Sequence, residues 1–155
     1  MGMSKHAYQS ALDGTRRGDE LKSPFITAVG HMRQGHALNF KMSTEEDNAS
    51  LALTEFEKSI ELSKSLEVSR LLVEAGWGLC RAYGYRGDFQ RAQRHAQEAI
   101  DIAVEAGDEW IASLTRLTMG ASLMMAARYE AAETWLNRAV LGFEECSDSF
   151  GRSAA

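Results

Sequence analysis

The sequence predicts an all-α fold, a right-handed superhelical stack of antiparallel helix hairpins with about seven helices. Three observations lead there. A single proline stands in a chain rich in Ala, Leu, Glu and Arg, residues that lose little conformational freedom in a helix. The runs of β-branched residues and the frequent turn signals of an all-β chain are lacking. Finally, the sequence repeats itself at an offset of 40 residues, the kind of period that marks stacked hairpins.

The repeat fixes the elements. Leu79-Cys80-Arg81-Ala82-Tyr83 aligns with Met119-Gly120-Ala121-Ser122-Leu123, and Gly87-Asp88-Phe89 with Ala127-Arg128-Tyr129. Further on, Ala92 pairs with Ala132, Ala99 with Ala139 and Trp110 with Phe150. A small residue, Cys80 or Gly120, therefore stands where a partner helix approaches closely, and a large one, Tyr83 or Leu123, follows three positions later. A tight turn comes next, and an aromatic opens the second helix of the hairpin. An earlier copy aligns Gly35-His36-Ala37-Leu38 with Cys80-Arg81-Ala82-Tyr83 at an offset of 45. Its five extra residues fall in the polar stretch from Ser43 to Asn48, a surface turn that tolerates insertion.

Helices are expected at about 5–17, 24–41, 47–65, 69–86, 89–106, 110–126 and 129–146. The first reads as the second helix of a preceding hairpin. Pro24 suits a first helical turn, with Ser23 as its cap. Gly18-Asp19 and Gly107-Asp108 are both expected to end helices. The single repeat domain then divides into a partial repeat at 5–22, three repeats at 24–65, 69–108 and 110–147, and the start of another hairpin at 148–155. On this reading the chain is a piece of a larger protein.

Composition excludes several function classes. The net charge of -5 over 155 residues supplies no basic footprint for nucleic acid. The two cysteines, Cys80 and Cys146, form no C-x-x-C pair and read as reduced thiols, which points to the cytoplasm. No apolar run reaches a membrane span, and the N-terminus lacks the apolar core of a signal peptide. His31 and His36, the nearest histidine pair, lie about 140° apart on a helix, so they do not share a metal in the i, i+4 manner. Neither cysteine has a histidine at catalytic spacing, and Gly76-Trp77-Gly78 lacks the Lys-Ser/Thr of a phosphate loop. Glu45, Glu46 and Asp47 lack the alternating ligands of a calcium loop. The expectation is a non-enzymatic chain without metal or cofactor.

The repeats resemble tetratricopeptide repeats. The pattern is carried by Leu79, Cys80, Tyr83, Gly87, Phe89, Ala92 and Ala99, and again by Met119, Gly120, Leu123, Tyr129, Ala132 and Ala139. Gly76 and Arg116 depart from it, in a slot where the family holds a large apolar residue. The 40-residue period, longer than the usual length of about 34, is similar to the arrays of MalT-type ATP-dependent transcriptional regulators and bacterial transcriptional activator domain proteins. Joints such as Gly107-Asp108-Glu109-Trp110 and Ser23-Pro24-Phe25 add to that likeness.

The resemblance implies a concave groove lined by the first helices of the hairpins. Carried over, its residues are Met32 and His36, then Glu74, Trp77, Arg81 and Tyr85, then Leu117, Ala121, Met124 and Met125. Trp77, Arg81 and Tyr85 stand at i, i+4 and i+8, one stripe fit for stacking and charged hydrogen bonds. Binding and packing are both open for Trp77 and the Met pair, and exposure decides between them. Arg81, Arg86, Arg91, Arg94 and His95 form a basic run, a second candidate, in which Arg86, Arg91 and Arg94 read as solvated residues paired with nearby acids. The implied function is a non-catalytic interaction or effector-sensing domain of a bacterial transcriptional regulator, and the alternative is a free-standing adaptor. The implied partner is a protein or peptide segment, or a small effector, with no nucleic acid or membrane contact by this chain and with self-association through the exposed ends of the stack. The chaperone-tail clamp of some relatives needs paired Lys and Asn, and the corresponding slots here hold Glu74, Trp77, Arg81, Leu117 and Ala121.

Overall fold

The computed structural model describes residues 2–40, 48–146 and 151, with side chains from residue 6 onward. The described residues form seven helices and no strand: α1 (Gly2–Glu20), α2 (Pro24–Phe40), α3 (Asn48–Leu66), α4 (Ser69–Tyr85), α5 (Phe89–Glu105), α6 (Glu109–Met125) and α7 (Tyr129–Glu145). Each helix packs on its neighbours in sequence, and α4 also touches the other even helices, α2 and α6. The hairpins α2–α3, α4–α5 and α6–α7 therefore stack in a row, with α1 ahead of them. The expected turn at 41–47 and most of the segment at 148–155 lie outside the described residues. Among the described residues no helix is long and apolar enough to cross a membrane.

The odd helices share one seam. In α3 it is Ala52, Phe56, Ser59 and Ser63, in α5 Ala92, Ala96, Ala99 and Ala103, and in α7 Ala132, Leu136, Ala139 and Phe143. The spacing of four, three and four keeps these residues on one helix face, and all are buried except the half-buried Leu136. Residue size at the second seam position sets what the facing helix can carry. Phe56 fills the space beside Gly35, where an added Cβ would lie 2.7 Å from its ring. Leu136 does the same at Gly120, with its Cδ2 2.5 Å from such a Cβ. The middle hairpin has Ala96 at this position, and the residue in the slot of Gly35 and Gly120 is the larger, fully buried Cys80. A large residue thus faces glycine in the outer two hairpins, and two residues of modest size take that place in the middle one, as close packing allows.

One departure from the tetratricopeptide pattern has the same cause. A Cβ on Gly76 would lie 2.9 Å from that of Ala99, so a large residue has no room there. Arg116, half-buried, hydrogen-bonds to Glu109 and, at 3.3 Å, to Ser113. Its charge is neutralised within its own helix.

One helix end differs from expectation. Gly107 (φ 73°) ends α5, as the sequence suggested, and the Asp108 carboxylate accepts from the Ile111 N–H at 3.3 Å to cap α6. Gly18-Asp19, by contrast, does not stop α1, which continues to Glu20 and turns at Lys22 (φ 51°). Gly18 serves instead as a contact point, because a Cβ there would lie 2.5 Å from the Thr27 nitrogen. The contact is reciprocal: Gly30 of α2 meets Thr15 of α1 in the same way. Gln34 Nε2 donates to Thr15 Oγ1 at 2.7 Å beside it. At the start of α2 Ser23 acts as expected, although its Oγ accepts from the Ile26 N–H only at 3.5 Å.

Candidate functional site

The face of α2, α4 and α6 carries the residues that the resemblance assigns to a groove. It begins with an ion-pair chain across the stack. Arg33 of α2 lies 3.6 Å from Glu74 of α4, Glu74 pairs with Arg70 at 2.8 Å, and Arg70 reaches Asp108 at the head of α6 at 2.9 Å. Glu74 is therefore engaged in holding three helices in register.

Trp77 is half-buried and joins neighbouring helices. Its indole N–H donates to Thr118 Oγ1 of α6 at 2.7 Å, and its ring lies 4.9 Å from that of His36 in α2. A buried or half-buried Trp normally finds such a partner for its N–H. Its main work is to tie the even helices together. Met32 is corrected outright: at 1% exposure it belongs to the core and offers no groove surface. His36 is buried as well, edge-on to Phe56 at 4.9 Å. Burial, helped by the nearby charges of Arg33 and Arg81, pushes its pKa down to about 4, against a hydrogen bond to the Glu74 backbone. The ring is neutral at ordinary pH.

Beyond Trp77 the stripe opens to the surface. Arg81 Nε and Nη2 donate to the Tyr85 hydroxyl at 3.1 and 2.9 Å. The Arg81 guanidinium also lies over the Phe40 ring, 4.1 Å from its centroid, and 5.4 Å from that of Tyr85. The cation is thereby held between two aromatic residues from neighbouring helices. Phe40 escaped the sequence reading. Its signal was present, because Phe40 precedes Tyr85 by the offset of 45 that relates α2 to α4, and Tyr85 precedes Met125 by 40. All three hold the last position of an even helix. Phe40 is 58% exposed, Tyr85 39% and Met125 73%, and Met124 beside it is exposed too. Leu117 and Ala121 are half-buried.

This arrangement suits recognition. It offers aromatic faces, a guanidinium fixed in position, and two flexible thioethers at the far end, the residue types that dominate binding hot spots. Cys80 is fully buried, and burial pushes its thiol up to about 12, so it stays protonated and inert. The described residues contain no group of three or more His, Cys, Asp or Glu that would hold a metal ion. Within the basic run Arg91 pairs with Asp88 at 2.5 Å and Arg94 with Glu98 at 3.9 Å, as expected, and His95 also reaches Glu98 at 3.2 Å. Compared with known proteins, the chain matches no family model, and no curated protein is significantly similar to it.

Proposed function

We propose that this chain is a tetratricopeptide-type interaction module that takes a partner segment along the exposed ends of α2, α4 and α6. The observation that carries the reading is that one repeat slot, occupied by Phe40, Tyr85 and Met125, is large, apolar and exposed in all three even helices. Isolated exposed apolar residues need no explanation, whereas an aligned row of them does. Arg81, set between Phe40 and Tyr85, adds a charged hydrogen-bond donor to that row. The likeness of the 40-residue repeats to those of ATP-dependent transcriptional regulators supports a place in such a regulator, with DNA contact and ATP hydrolysis in other domains.

Selection of displayed peptides on the immobilised chain tests the module. Peptides enriched on the wild-type chain should lose about tenfold or more in affinity against Tyr85→Ala and Arg81→Ala. Thermal unfolding of both variants should stay close to wild type, since neither side chain is core. Failure to enrich any peptide, or equal binding to both variants, contradicts the reading. Reading the gene beyond both ends of the chain tests the regulator setting, which requires a helix-turn-helix or nucleotide-binding region.

A further inference from the structure

The face formed by α1 and α2 departs from the rest of the stack. α1 carries Ala7, Ala11, Gly14 and Gly18, with the same spacing as Ala92, Ala96, Ala99 and Ala103 of α5. In α5 all four are buried, and α4 lies along that helix. On α1, Ala7 is exposed and Gly14 half-buried. A Cβ placed on Gly14 would meet nothing within 4 Å, whereas its counterpart Ala99 is in tight contact with Gly76 of α4. α2 shows the same incompleteness. Ile26 is half-buried, while Leu71 and Ile111, which hold its place in α4 and α6, are buried. Between α1 and α2 lies an apolar groove of about 460 Å³, floored by Ala7, Ala11 and Gly14 and walled by Ile26, Val29 and Phe40. His36 also lines it, and its buried Nε2 has no hydrogen-bond partner.

We propose that this groove docks an amphipathic α-helix of a partner, similar in pattern to α4 and laid along α1 as α4 is laid along α5. The stack itself shows what covers such a groove. α2 packs on both α3 and α4, and α4 packs on both α5 and α6, so each later groove of this kind is filled by an even helix. The seam selects among the even helices. α2 and α6 place glycine, Gly35 or Gly120, against the large Phe56 or Leu136. α1 has the small Ala11 in that position, as α5 has Ala96, and so calls for the medium-sized residue that α4 supplies with Cys80. The slot that Phe40 takes over Arg81 is held in α4 by Tyr85, and a hydroxyl there supplies the donor that His36 Nε2 lacks. A second copy fits worse, because its α4 is already packed on α2, α3, α5 and α6.

The groove shares Phe40 with the exposed row, and the test separates the two through residues that belong to only one of them. A fluorescently labelled synthetic peptide with the α4 sequence, Ser69–Tyr85, is titrated with the whole chain and followed by anisotropy. Saturable binding is expected, weakened about tenfold or more by Gly14→Leu and by Ser10→Trp, and unchanged by Met125→Ala in the row. Gly14→Leu adds its side chain to open space and raises helix propensity, so its melting temperature should not fall. Ser10→Trp, at an exposed groove position, is the second blocking variant should the first misfold. A peptide carrying Phe in place of its final Tyr should bind several-fold more weakly. Absence of saturable binding, or binding indifferent to both groove variants, overturns the proposal. So does self-association of the chain in sedimentation that both groove variants abolish, because the occupant is then a second copy.

Discussion

The hairpins α4–α5 and α6–α7 share a backbone plan but reach it with different chemistry. Their turns both pass through a left-handed residue, Gly87 (φ 74°) in one and Ala127 (φ 57°) in the other. Asp88 caps α5, its carboxylate accepting from the Arg91 N–H at 3.1 Å, whereas Arg128 gives α7 no side-chain cap. Inside, the first hairpin faces Cys80 with Ala96 and the second faces Gly120 with Leu136. The difference teaches that the repeat keeps a shape, compensating sizes at a contact and the sign of φ at a turn, more closely than it keeps residues.

The largest expected effect breaks the volume match. Gly120→Leu forces a side chain into space already held by Leu136, and should destabilise the chain by about 1 to 3 kcal/mol. The better helix propensity of Leu offsets less than about 1 kcal/mol of that. Denaturant unfolding reads the change, and an unaltered midpoint at constant slope contradicts the packing.

The next effect separates the repeats by charge. The slot that holds Arg81 in α4 and Ala121 in α6 holds the buried, neutral His36 in α2. The folded pKa lies below the unfolded one, at about 4 against 6.5. The unfolded chain therefore binds more protons between these values, and stability falls as the pH drops through that window. About 2 kcal/mol should be lost by about pH 5. His95, half-buried and also shifted down by burial, acts in the same direction. Unfolding midpoints at neutral pH and at pH 5 should differ clearly in the wild type and less in His36→Gln, and equal pH sensitivity of the two rejects the assignment.

The smallest effect lies in the turns. Ala127→Gly should stabilise by about 0.5 kcal/mol, the relief of a left-handed alanine less the added freedom of glycine in the unfolded chain. Asp88→Ala should lower the melting temperature through loss of its cap. A neutral or destabilising Ala127→Gly would show that the second turn carries no strain.

The helices were legible in the sequence because their signals are local. The turns at Gly87-Asp88 and Gly107-Asp108 and the aromatics that follow Asp88 and Arg128 lie within a few residues of the ends they set. Gly18 misled because a glycine before an acid reads as a helix stop, and only Thr27 on the next helix reveals its packing role. Met32 looked like a groove residue for a similar reason, since position in a repeat gives the slot but not its burial. Phe40 was missed because its counterpart Tyr85 lies across the five-residue insertion, and the contact with Arg81 depends on how two hairpins stack.

The central claim, that the sizes of facing residues compensate one another, is tested most directly by importing one hairpin's pair into the other. Gly120→Cys, Leu136→Ala and the double variant, which together copy Cys80 and Ala96, form a double-mutant cycle in unfolding free energy. Each single change should destabilise, one by crowding and the other by leaving a void. The double variant should be more stable than their sum by about 1 kcal/mol or more, because the new cysteine occupies part of the space the leucine vacates. Strict additivity of the two changes would contradict the account.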